Sequence, residues 1–243
     1  MKSILLAGAL ALALGSSSAH AALQIAAQIG PDSFFCSDGG ACDTSGTPGL
    51  IITNNTLLDG ILFSSSSTSA GSGGINFLNA SNLLITNTLS TPVNLIIAVS
   101  ATDYLAPALH FSTADAGTWQ GSGGGSFAAM SWFIDPSNAQ GADTAFDTPG
   151  TLVDNDLSTS AGPVLAFSRT NAVITDALAA PFSMTEQMTL HLAPGESLVN
   201  RGQALVGAAV PEPSTWAMLI VGCIGLGLGA LTRRRVRELQ SAP

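Results

Sequence analysis

The chain has 243 residues and a formal net charge of −9, yet only 9% of its residues are charged, against roughly 25% in an average soluble domain. Nothing in it could neutralise a run of phosphates, so nucleic acid is excluded as a partner. Three cysteines exclude a disulfide-dense scaffold, and the length suffices for one hydrophobic core.

The first predicted element is a secretory signal peptide over 1–21. Lys2 supplies the positive start, Ile4 to Leu14 the apolar run, and Ala19-His20-Ala21 an A-x-A cleavage site. The apolar run is too short to span about 30 Å of hydrocarbon. The mature chain is expected to start near Ala22, with the secretion machinery as its first partner.

An exported domain is expected over 22–209, and its composition points to β structure. Apolar and β-branched stretches alternate with clusters of Ser, Thr, Gly, Asn and Asp. Strands are predicted at Leu23 to Ile29, Gly60 to Ser64, Asn82 to Leu89, Pro92 to Ser100, Phe127 to Ile134, Val164 to Ser168 and Phe182 to Leu192. The last has Phe182, Met184, Met188, Leu190 and Leu192 on one face, which only Glu186 breaks. Pro92 to Ser100 is apolar on both sides, as expected of a strand buried on both faces. Turns are predicted at 69–74, at 121–125, at Asp135-Pro136-Ser137-Asn138 and at Ala193-Pro194-Gly195. No amphipathic helix of useful length interrupts this pattern. The expected fold is all-β, a single antiparallel β-sandwich of jelly-roll or immunoglobulin-like form.

Cys36 and Cys42 are the cysteines of this domain, since Cys223 falls in an apolar tail. Export to an oxidising compartment and the glycines between them favour a local disulfide. Zinc or redox chemistry would prefer C-x-x-C spacing or nearby histidines.

Glu212 and Glu238 among the 16 acids, and Lys2 with the four tail arginines among the 7 bases, lie outside the domain; 14 acids then face Arg169 and Arg201. Such a body is expected to repel anionic lipid, and also an acidic polysaccharide unless a divalent cation bridges the two. Asp32, Asp38 and Asp43 flank the cysteines, and Asp135, Asp143, Asp147, Asp154 and Asp156 fall in a predicted long loop region. Oxygen-rich loops of this kind can hold Ca²⁺, but no EF-hand pattern is present and solvated loops are the simpler reading. No cofactor is expected, with Ca²⁺ the one ion these loops would suit. His110 and His191 are candidates for a general base, and Gly124-Gly125-Ser126-Phe127-Ala128 is a broken form of the G-x-S-x-G elbow. No nucleophile and base pair stands out, so the domain is expected not to be an enzyme. The alternative is a secreted carbohydrate-active or other hydrolase, in which a histidine meets two carboxylates.

The tail over 210–240 closes the chain. Val210-Pro211-Glu212-Pro213-Ser214-Thr215 holds two prolines that keep the segment extended and exposed. From Trp216 to Leu231 no residue is charged, and with Ser214 and Thr215 the run reaches the roughly 18 residues of a membrane helix. Arg233, Arg234, Arg235 and Arg237 follow as a basic stop, which places the C-terminus inside and the domain outside. Gly225 and Gly229 form a GxxxG, either a packing face or the ordinary glycine content of membrane helices.

The order of Val210-Pro211-Glu212-Pro213, glycine-bearing helix and terminal arginines resembles the PEP-CTERM sorting signal of exported bacterial proteins, a tail also labelled an ice-binding protein C-terminal domain. The resemblance implies transient tethering in the inner membrane and processing by an exosortase. It further implies a final place at the cell surface or in an exopolysaccharide or biofilm matrix. On this reading the central domain is structural or adhesive, and binding to exopolysaccharide or to cells is expected of it.

Overall fold

Alternation of apolar and polar residues is realised, in the computed structural model, as antiparallel strands throughout; the structure describes residues 22–64, 67–71, 75–104, 108–121 and 124–207. The chain divides into two units, Met1–Ala208 and Ala209–Pro243, and the second lies outside the described residues. The strands are β1 (Leu23–Ile29), β2 (Asp32–Ser37), β3 (Leu50–Ile52), β4 (Thr56–Leu58), β5 (Ile61–Ser64), β6 (Ser67–Gly71) and β7 (Ile75–Asn87). They continue with β8 (Val93–Tyr104), β9 (Ala108–Gln120), β10 (Phe127–Asp135), β11 (Thr151–Thr159), β12 (Val164–Leu178), β13 (Phe182–Leu192) and β14 (Ser197–Gly207).

Two sheets form. The front sheet has the order β11-β10-β13-β8-β1-β2, and the back sheet β12-β9-β14-β7-β5-β4, with β6 on β7 and β3 on β6. From β7 onward the chain crosses between the sheets at every step except β10 to β11. Inward side chains of both sheets make one core, in which Trp119, Trp132, Tyr104, Phe111 and Phe182 are fully buried. Burial of each large apolar side chain contributes roughly 1.5–3 kcal/mol. The polar ends of two of these rings find partners: Tyr104 Oη donates to the Phe77 carbonyl at 3.0 Å and Trp119 Nε1 to Ser158 Oγ at 3.0 Å.

The segment 136–150 folds over half of the outer side of the front sheet. It buries Ala142 and Ala145 against Ala26 and Ala98, and Gln187 Nε2 donates to the Ala145 carbonyl at 2.8 Å. The Gly141 N–H donates to Ser100 Oγ at 3.1 Å, and Ser100 Oγ lies 2.8 Å from Thr185 Oγ1. A Cβ on Gly141 would come within 2.6 Å of both Pro149 and Thr185, so the close approach needs glycine. This cover explains why β8 is buried on both faces.

The structure corrects the predicted loops in two places. Asp154 and Asp156 lie on β11, not in a loop, and the predicted turn at 69–74 overlaps β6. Both strands are polar in sequence and owe their form to pairing with neighbours, which outweighs propensity.

Candidate functional site

Several predicted residues fall outside the described part of the chain: Ala19 and Ala21, Val210, Pro211, Glu212 and Pro213, the segment 216–231, and Arg233, Arg234, Arg235 and Arg237. Among the described residues no helix is long and apolar enough to cross a membrane. Cys36 and Cys42 are joined as a disulfide, with Cα atoms 5.7 Å apart. Two of the three aspartates around it, Asp38 and Asp43, are occupied by backbone. Asp38 accepts from the Gly49 N–H at 2.6 Å, and Asp43 from Gly39, Ser45 and Ile52 at 3.0, 2.8 and 3.0 Å. Partial burial pushes the Asp43 carboxyl up, but the three N–H bonds outweigh it and hold it below the usual value. Among the described residues no group of three or more His, Cys, Asp or Glu could hold a metal ion.

Ser126 is buried at the mouth of the sandwich, not raised on an elbow. Its hydroxyl donates to the Glu196 carboxylate and accepts from the Ala193 N–H at 2.8 Å, while Gly124 N–H donates to the other Glu196 oxygen at 2.6 Å. These bonds tie the start of β10 to the turn before β14. They leave the hydroxyl no freedom to attack a substrate. His110 and His191 sit on outer faces of different sheets, at outward positions of β9 and β13. Among the described residues neither makes an ion pair.

A layer of polar side chains crosses the interior. In the front sheet Asp154, Trp132 and Glu186 are cross-strand neighbours; in the back sheet Arg169, Asp115 and Gly202 form the matching row. Glu186 reaches across to Gly202, where an added Cβ would lie 1.8 Å from its Oε1. Neither Trp132 Nε1 nor Glu186 Oε2 has a hydrogen-bond partner of good geometry. Burial pushes the Glu186 carboxyl up to about 8; the Trp132 N–H opposes that rise, and the negative charge of Asp115 adds to it. Burial first, then the charge of Asp156, raises Asp115 to about 6, with Arg169 opposing. At the edge, Arg169 pairs with Asp154 at 3.2 Å and Asp156 at 3.4 Å. Asp154 also accepts from Thr113 and from Asn171 Nδ2 at 3.0 Å. Burial pushes its carboxyl up, but the bonds from Thr113 and Asn171 and the Arg169 charge hold it below the usual value. Glu186 is only 3% exposed, so its carboxyl is closed off from solvent.

The uncovered half of the front sheet's outer face is the accessible candidate. Thr159, Phe127, His191 and Asn94 form one row across it, and Leu157, Ala129 and Thr189 the next, which ends at Ile96 packed against the cover. The Phe127 and His191 rings stack with centroids 5.5 Å apart and 13° between planes. His191 Nδ1 lies 2.7 Å from Asn94 Oδ1; with that oxygen as acceptor, Nδ1 carries the proton and Nε2 is left for another partner. Phe127 is 36% and Leu157 63% exposed, and no position in either row is charged. The sequence places His191 on a polar strand face, but its neighbours Phe127 and Asn94 lie 64 and 97 residues away in the chain. Only strand register brings them together.

No family profile and no curated protein matches the sequence. Among solved structures the chain is similar to TmCBM61 in complex with beta-1,4-galactotriose, at 12% identity and a TM-score of 0.32, covering 60% of this chain and 90% of that one. It is similar to TmCBM27, a carbohydrate-binding module studied for specific mannan recognition, at 10% identity and a TM-score of 0.29, covering 66% and 99%. A structure of infectious bursal disease virus matches at 13% identity and a TM-score of 0.35, covering 74% and 40%. At these scores the likeness carries no ligand or function to this chain, and the architecture rests on the strand order itself.

Proposed function

We propose that this chain is an exported surface or matrix protein whose sandwich binds neutral polysaccharide on the open half of the front sheet. The observation that carries the reading is the row Phe127, His191 and Asn94: an aromatic pair, Phe127 exposed and His191 half-buried, beside amide and hydroxyl groups, in rows without charge. Sugars present C–H faces to aromatic rings and hydroxyls to such polar groups. The orders β7-β14-β9-β12 and β8-β13-β10-β11 support a jelly roll over an immunoglobulin-like sandwich. The cleavage pattern ending at Ala21 and the Pro211-Glu212-Pro213 tail support export, inner-membrane tethering and exosortase processing. The reading is of a binding protein and not of an enzyme.

In affinity gels containing soluble β-1,4-galactan, galactomannan or dextran, at least one polymer should retard the protein. Phe127→Ala should weaken that binding at least tenfold, about 1.4 kcal/mol, and Phe127→Tyr should retain it. Retardation by none of the polymers, or an unchanged affinity in Phe127→Ala, would overturn the binding site. In the native host, replacing Pro211, Glu212 and Pro213 with alanine should leave full-length chain in the inner membrane. Processing at the normal level would overturn the sorting reading.

A further inference from the structure

The outer face of the back sheet carries a second, differently charged surface. Its outward positions run in rows, Arg201–Ala116–Ser168 and Gln203–Ala114–Thr170, across β14, β9 and β12. The small side chains leave a hollow of about 210 Å³ over these rows, room for one unit of a larger ligand and less than the roughly 300–1,000 Å³ of a drug-sized pocket. Asp115 of β9 and Arg169 of β12 also line the hollow, but Asp115 is buried and Arg169 is held by Asp154 and Asp156 at the inner side. Arg201 is exposed, and neither a hydrogen bond nor an ion pair occupies it among the described residues. It also sits opposite a bulge, since Asn200 pairs with Leu83 and Gly202 with Ala80, a device that re-aims a side chain.

Charge is distributed unevenly around this residue. Among the described outward side chains of β7, β9, β12 and β14, Arg201 is the single charge; the others are Ser, Thr, Ala, Val, Leu, Phe, Asn, Gln and His. The acid nearest the hollow, Asp115, lines it from beneath with its side chain buried, so the charge presented outward on these rows is the positive one of Arg201.

We infer that the hollow around Arg201 binds the carboxylate of a uronic-acid unit in an acidic polysaccharide. Arg201 would take the carboxylate through its planar fork, while Gln203, Ser168 and Thr170 offer hydrogen-bonding partners to ring hydroxyls. The choice of a sugar rests on the exported, matrix-located reading above; the negative charge of the ligand rests on the face itself.

The test uses the full-length chain in detergent at about 0.15 M salt, with polygalacturonate, its methyl ester and poly-glutamate as probes in affinity gels. Polygalacturonate should retard the protein. Its methyl ester, which has the same backbone without charge, should bind at least tenfold more weakly. Arg201→Gln should lose at least tenfold for the acid form, and Arg201→Lys should lose less. Arg201→Gln should leave retardation by the neutral polymer within twofold, which separates this site from the neutral one. Equal binding of acid and ester, no loss in Arg201→Gln, or no retardation at all would overturn the site. Equal retention by poly-glutamate would overturn the sugar assignment.

Discussion

Urea midpoints should fall as pH rises from about 4.5 to about 8, and the fall should vanish between about pH 6 and about pH 8 when Glu186 is replaced by glutamine. Unfolded, this carboxyl has its usual value of 4.5; folded, burial holds it protonated up to about 8. Between those values the folded state binds a proton that the unfolded state has lost, so stability declines by about 1.4 kcal/mol per pH unit. The decline stops once the pH passes the folded value. Asp115, raised to about 6, adds its own decline from 3.8 upward, which is why the upper half of the window isolates Glu186. The opposite sign holds in acid. Asp43, Asp135 and Asp154 are held below 3.8 by bonds that outweigh their burial, and their contribution is lost as pH falls through those lowered values. Stability should therefore peak near about pH 4–5. Against a typical total of about 5–15 kcal/mol, a drop of several kcal/mol is a large effect. Equal slopes for the wild type and Glu186→Gln above pH 6 would show that Glu186 does not hold its proton in the fold.

The same buried layer decides how much of the molecule is legible in sequence. The bounds of β1 and β13 can be read directly, because their inward positions are almost all apolar and Glu186 stands out as one exception. The double burial of β8 is equally visible, although the segment that covers it is not. β9 and β14 escape because their inward rows are Phe111, Thr113, Asp115, Gly117, Trp119 and Leu198, Asn200, Gly202, Ala204, Val206. Polar and small residues at the positions facing Glu186 erase the alternation that marks a strand. Asn200, for example, points its amide at the sulfurs of Met130 and Met188, at 3.7 and 3.4 Å. β12 reads as a short strand from Val164 to Ser168 but runs to Leu178, for Arg169 and Asn171 turn inward to Asp154. The candidate binding face escapes for a different reason. Its residue types are ordinary, and only cross-strand register assembles Phe127, His191 and Asn94.

Gly202→Ala should destabilise the protein by about 2–3 kcal/mol, near the upper end of what overpacking a core costs. An added Cβ would lie 1.8 Å from Glu186 Oε1, 2.5 Å from Cδ and 2.8 Å from Oε2, so the carboxyl must move by more than an ångström. A flexible side chain could do that at a surface. Here Glu186 is 3% exposed, flanked by the cross-strand neighbours Trp132 and Val99, and has nowhere to go without displacing packed atoms. Replacing glycine within a strand by alanine returns roughly 0.5–1 kcal/mol of backbone entropy, which offsets only part of the overlap. The clash is specific to one pair, so it should be relieved by shortening the partner. Glu186→Ala in the Gly202→Ala background should recover at least about 1.5 kcal/mol relative to additivity at pH 5, a coupling typical of residues in contact. Denaturant titration of the four proteins in that cycle measures it. A Gly202→Ala protein within about 0.5 kcal/mol of wild type, the range of a neutral surface change, would sink the argument, as would strict additivity. Polysaccharide retardation by the folded fraction should stay unchanged, because the layer lies inside the sandwich and Phe127 and Arg201 face outward from it.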